Sequence, residues 1–166
     1  RHPDLRVELG DALSFARPER YDAIVSCMAM HHVPDTRALL QAFADAHPGS
    51  LPLPLDVLDA GSVKKAFAEL QRHHSSLDFT LYCAGTYTPM DAQKLDLASV
   101  EAMLDVNLRG AFRVVSTILP AYLARNSGHL VLVGSVAGYR GLPSAMGYGA
   151  SKAGLLHLAE NLKADL

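Results

Sequence analysis

The sequence predicts an α/β fold, a three-layer sandwich around a mainly parallel sheet. Strand-length apolar runs alternate with helix-length amphipathic ones. The strand runs are continuously apolar, as strands covered on both faces require. The chain's 166 residues, 49% hydrophobic and 19% charged, suffice for one core, so residues 1–166 read as a single unit.

Each element follows from its local pattern. "LRVELGDAL" (5–13) and "YDAIVSCMAM" (21–30) are apolar runs of strand length. "DTRALLQAFADAH" (35–47) has helical spacing behind Asp35, an N-cap candidate. "SLPLPLDV" (50–57) reads as a short strand that its two prolines make irregular or early-ending. "AGSVKKAFAELQRHH" (60–74) is an amphipathic helix with Val63, Phe67 and Leu70 on one face. "LDFTLYCAG" (77–85) is a strand closed by Gly85. A long helix covers 98–126, with a bend or break expected near Pro120. "GHLVLVGSVAG" (128–138) is a strand, and 145–166 a helix. The strand ends at Asp56, Gly85 and Ser135 are expected to line one cleft.

Composition excludes several function classes. The net charge is -2 with no block of like charge, so no nucleic-acid partner and no membrane surface is indicated. No apolar run approaches the ~18 residues of a membrane span, and residues 1–20 carry no signal-peptide pattern. Cys27 and Cys83 lie in apolar runs, which argues against a secreted disulfide framework and for a cytoplasmic protein. No base stands at a recognisable spacing from Cys27, so it reads as a buried structural thiol. The pairs His31–His32 and His73–His74 have no acidic or cysteine partners at ligand spacing and read as surface or turn residues; no metal is expected. Asp22 reads as solvent-facing. The chain opens on Arg1 rather than Met and stops at Leu166 within a helical pattern, so it reads as a segment of something longer.

The chemistry concentrates in "GYGASKAGLL" (147–156). Tyr148 and Lys152, four residues apart on a helix, face the same way. A free phenol, with a pKa of ~10, is a poor proton donor or acceptor at neutral pH; a nearby ammonium favours the phenolate and suits the pair to acid–base work. The small residues around them let a large group approach. Ser135 ends a buried strand, and Asn107 places an amide inside an apolar helix, where it must find partners.

In order, "LDVLD", "YCAG", "VNLRG", "GSVAG" and "YGASK" resemble the short-chain dehydrogenase/reductase family over residues 41–166, roughly three quarters of the chain. The resemblance implies a Rossmann-like fold, NAD or NADP as cofactor, and an oxidoreductase interconverting a secondary alcohol and a ketone. By it Tyr148 is the catalytic acid–base, Lys152 lowers the tyrosine pKa and holds the nicotinamide ribose, and Ser135 orients the substrate oxygen. Asn107 anchors a water that links Lys152 to solvent. Asp56 and Val57 flank the adenine; Ala84 and Gly85 belong to the turn beside the cofactor. Cys83 stands where the family has an asparagine, which weakens the scaffold without touching the chemistry. The resemblance also implies a homo-oligomer through helices 98–126 and 145–166, where Val114, Val115, Ile118 and Leu119 occupy more than one face.

The family's glycine-rich turn has no counterpart here: Gly10 and Gly49 are the only glycines before residue 61. Residues 1–40 instead resemble the middle of a class I S-adenosylmethionine-dependent methyltransferase, with "GDA", "YDAIVS" and a "HH" turn in order; that resemblance puts Asp11 near the adenine of S-adenosylmethionine. The join between the two segments is expected within 34–45, since "DTRALLQAFADAH" fits both. Methyl transfer, or a folded but non-catalytic chimera, are therefore the alternative readings.

Overall fold

A computed structural model describes residues 5–8, 24–26 and 50–166. Among the described residues, four strands form one parallel sheet in the order β1-β4-β3-β2: β1 (Leu5–Glu8), β2 (Ile24–Ser26), β3 (Phe79–Tyr82) and β4 (Gly128–Leu132). The helices are α1 (Ala60–His73), α2 (Leu97–Leu104), α3 (Gly110–Arg125), α4 (Val136–Tyr139) and α5 (Met146–Asp165).

At the centre of the sheet, Thr80 pairs with Leu130 and Tyr82 with Leu132. Side chains alternate across a strand, so these four share one face. Tyr82, Leu130 and Leu132 join Val63 and Leu70 of α1, Val114, Ile118 and Tyr122 of α3, and Leu155 and Leu158 of α5 in a single core. A second helical layer, expected from 35–47, lies outside the described residues, as do Asp11, Asp22, Cys27 and the His31–His32 pair.

Residues 50–57 correct the sequence reading: they form no strand. The alternation is present, with Leu53, Leu55 and Val57 packed on the core while Pro52, Pro54 and Asp56 are exposed. The prolines have no N–H to give a ladder, so burial follows a two-residue period without strand pairing. The expected strand 128–138 likewise stops at Leu132, and Ser135 then caps the short α4.

The long helix is continuous from Leu97 to Arg125 and runs unbroken through Pro120. Its irregularity lies instead at Asp105–Arg109, a π-helical turn closed by the Gly110 N–H donating to the Asp105 carbonyl. Val114, Val115 and Ile118 are buried in the chain's own core, so they are not the free apolar surplus their sequence spacing indicated. His73 and His74 end α1; His73 Nε2 lies 3.1 Å from Glu69 Oε1. Among the described residues, no helix is long and apolar enough to cross a membrane.

Candidate active site

β3 and β4 run parallel and side by side, so their carboxyl ends open at the same edge of the sheet. Past that edge stand Ala84 and Gly85 on one side and Val133 and Ser135 on the other, with α5 crossing in front. Helical spacing on α5 brings Tyr148 and Lys152 to this edge. Lys152 is 4% exposed, its Nζ donates to the Val133 carbonyl at 2.7 Å, and it lies 5.7 Å from the centroid of the Tyr148 ring. Among the described residues the Tyr148 hydroxyl has no partner, and Nζ retains two further protons.

Burial of the ammonium pushes the Lys152 pKa below the ordinary lysine range, and the neighbouring Cys83 opposes part of that shift. Cys83 is a free, half-buried thiol.

Asn107 is fully buried in the π turn. Its Oδ1 accepts from the Thr86 N–H at 2.7 Å, and its Nδ2 donates to the Thr86 carbonyl at 3.0 Å and to Ser151 Oγ at 2.8 Å. Wide π turns recur at functional sites, and here Asn107 is the one buried residue of the turn. Gly85 lies against the same group: a side chain there would stand 3.6 Å from Asn107 Oδ1 and 3.8 Å from Lys152 Nζ. Gly85, Asn107 and Lys152 thus converge.

Ser135 caps α4, its Oγ accepting from the Ala137 N–H at 3.2 Å, which leaves the hydroxyl proton to donate elsewhere. Ala84 is buried in the core and can offer a ligand only its backbone. Asp56 is exposed and spends Oδ1 on the Leu58 N–H at 2.8 Å. It follows no strand, which corrects the expectation of a strand end there. Val57 lends its carbonyl to Arg113 Nη1 at 3.0 Å. Neither touches the Tyr148–Lys152 group; they stand by α1 and α3.

Two contributors escaped the sequence reading. Ser151 is fully buried and donates to the Tyr148 carbonyl at 2.7 Å. Tyr87, in the loop after β3, packs its ring on Tyr148 with centroids 5.0 Å apart. A serine beside the lysine and an aromatic just past a strand end were the available signals, and both are common enough to pass as packing.

The family described as short chain dehydrogenase matches residues 19–166. That match starts well before the join expected at 34–45, and the methyltransferase resemblance of residues 1–40 draws no support from it. The chain is 34% identical over 138 residues to an uncharacterized oxidoreductase of Myxococcus xanthus (strain DK1622), covering 83% of this chain and 54% of that protein. It is 32% identical over 113 residues to an NADP-dependent 3-hydroxy acid dehydrogenase of Escherichia coli O6:H1, covering 68% of this chain and 46% of that protein. The chain thus spans about half the length of these curated relatives. Among solved structures it is similar to the closed form of a serine dehydrogenase complexed with NADP+, with a TM-score of 0.78 and 26% identity over 89% of this chain and 58% of that one. The serine dehydrogenase of Escherichia coli gives a TM-score of 0.76 and 26% identity over 89% of this chain and 66% of that one. With a parallel α/β sheet and a family match over residues 19–166, the chain belongs to the short-chain dehydrogenase family.

Proposed function

We propose that the protein is an NAD(P)-dependent oxidoreductase that interconverts a secondary alcohol and a ketone, with Tyr148 as its acid–base. The observation that carries this reading is the buried Lys152 ammonium, tied to the Val133 carbonyl beside a Tyr148 hydroxyl with no partner among the described residues. Gly85 supports the fit of a dinucleotide: the missing side chain keeps the space in front of Asn107 and Lys152 clear, as the nicotinamide ribose requires. The NADP-dependent and NADP+-bound relatives support the same class of cofactor.

A bound dinucleotide supplies or accepts the hydride. The chain's own residues do the rest. In the reducing direction the Ser135 hydroxyl donates to the substrate carbonyl oxygen and orients it. Tyr148 passes its phenolic proton to that oxygen as charge builds there. The Lys152 ammonium steadies the phenolate that remains, and with its two spare protons it would hold the nicotinamide ribose. Asn107 stands between Lys152 and the loop after β3, where an anchored water would return a proton from solvent. The oxidative direction runs these transfers backward. Asp56 and Val57 would hold the adenine of the dinucleotide, and Ala84 would offer it backbone alone.

Self-association through α3 and α5 belongs to this reading. It rests on Phe112 and Met146, which are 50% and 46% exposed on those helices. Light scattering at micromolar concentration checks it, and a monomer alone counts against it.

The central test is Tyr148→Phe, assayed with NADPH and NADH against a panel of ketones and secondary alcohols. The ring stays and the transferable proton goes, so turnover falls by orders of magnitude while the melting temperature holds. Unchanged turnover in a folded variant sinks the assignment.

A further inference from the structure

We propose that Ser151 is a positioning residue: it sets the register of α5 against the π turn and thereby holds Tyr148 and Lys152 in place. The inference rests on the functional reading above only for its catalytic consequence.

The hydrogen-bond chain admits one arrangement. The Thr86 N–H can only donate and the Thr86 carbonyl can only accept, so the Asn107 amide between them cannot flip. Its second Nδ2 proton must then go to Ser151 Oγ at 2.8 Å. Ser151, accepting there, has one proton, and it goes to the Tyr148 carbonyl at 2.7 Å. Three bonds join loop, π turn and α5, and a fourth ties Ser151 to Tyr148 within α5, with Asn107 and Ser151 both fully buried.

The packing around this chain explains why α5 needs a directional contact. Gly147, Ser151 and Gly154 fall on one face of α5 at helical spacing. A side chain at Gly147 would come within 2.7 Å of Met103, and one at Gly154 within 2.8 Å of Leu108. The helix therefore lies close on α2 and the π turn along a stripe of small residues. Apolar contacts have no preferred direction, so they fix how closely the two elements approach more firmly than their register. Ser151 sits mid-stripe and supplies the only side-chain hydrogen bond from α5 to the π turn among the described residues. A slide of α5 would carry Tyr148 and Lys152 with it, because they occupy its first two turns. A misplacement of about 1 Å can cost a catalytic site ~100-fold.

The test uses the 166-residue chain, labelled with 13C at the tyrosine ring, with the Tyr148 resonance assigned by its loss in Tyr148→Phe. Ser151→Ala is expected to move the Tyr148 ring resonance and to raise amide exchange at residues 148–152 at least tenfold. Protection in β4 should stay within threefold. Ser151→Cys, which keeps a weak donor and acceptor of similar size, should recover part of both effects. With NADPH and the ketone panel, Ser151→Ala should lower kcat at least tenfold and change KM less than threefold. If the wild-type chain turns over nothing, the functional reading fails, and the resonance and exchange data decide the role of Ser151 alone. An unmoved Tyr148 resonance with unchanged exchange overturns the proposal. So does exchange raised equally in β4, which would mean general loosening.

Discussion

The rings of Tyr87 and Tyr148 meet edge to face, centroids 5.0 Å apart and planes at 61°, and the Tyr87 hydroxyl donates to the Ser144 carbonyl at 3.2 Å. The Met90 N–H reaches the same carbonyl at 3.0 Å, and Ser144 holds a left-handed φ of 59° to present it. The loop after β3 and the segment entering α5 are thereby fastened across the mouth of the site.

Tyr87→Ala should remove the aromatic contact, worth ~0.5–1.5 kcal/mol, together with the Ser144 bond. The melting temperature should fall by a few degrees and turnover several-fold. Tyr87→Phe keeps the ring and should retain most of both. Thermal unfolding and steady-state assays on the two variants check this; equal losses would show that the hydroxyl, not the ring, matters.

Lys152 gives stability a pH dependence of definite sign. Its folded pKa lies below its free value of 10.5, so folding releases a proton in the interval between the two. Stability should therefore rise with pH across that interval. In Lys152→Met this rise should vanish along with activity. Chemical denaturation of both proteins from pH 7 to 10.5 measures it, and parallel curves would refute the assignment.

Tyr122 acts in the opposite sense. Its hydroxyl lies 2.7 Å from that of Thr80, and burial pushes the phenol up to about 12. The fold holds the neutral phenol, so this contribution is fully present below ~10 and is lost as pH climbs from there to the folded value. Two units correspond to roughly 2–3 kcal/mol. Tyr122→Phe should lose that part of the alkaline decline and cost about 1–3 kcal/mol at neutral pH, because Thr80 is left unpaired. Denaturation midpoints between pH 9 and 12 check both.

Dinucleotide affinity should be low for this chain. The sequence before residue 61 offers Gly10 and Gly49 as its only glycines, and "MAMHHVP" where a phosphate-binding turn would need them. Losing two or three charge-assisted bonds to phosphate costs roughly 3–9 kcal/mol, about a hundredfold to a millionfold in affinity. Calorimetric titration with NADH and NADPH tests it: a micromolar dissociation constant for either would reveal a phosphate site in that segment.

Much of this was legible in the sequence because it is local. Tyr148 and Lys152 are one helical turn apart, and a helix guarantees that they face together. Ser135 and Gly85 end apolar runs, and parallel strands present such ends at one edge. What escaped depended on distant partners or on hydrogen-bond geometry. Ser151 gains its meaning from Asn107, 44 positions away, and Asn107 from Thr86, 21 away. Residues 50–57 show the converse, since alternation of Leu and Pro reads as a strand whether or not a neighbour pairs with it. The π turn is invisible for a similar reason: "DVNLR" has the apolar spacing of any helix, and only the closing bond distinguishes it.

The π turn also makes the chain sensitive to length. Such a turn holds one residue more than an α-helix needs over the same rise. Deleting a single residue within 105–109 would let ordinary α bonding run through, locally tightening the helix. The two flanks would keep nearly their present phase, because the extra residue is taken up inside the wide turn. Val114 and Ile118 would stay on the core, while Asn107, inside the turn, would lose the position from which it reaches Thr86 and Ser151. Substitutions here can be graded, but a change of count cannot, so the spacing from Met103 to Gly110 is a quantity selection can hold only as a whole number.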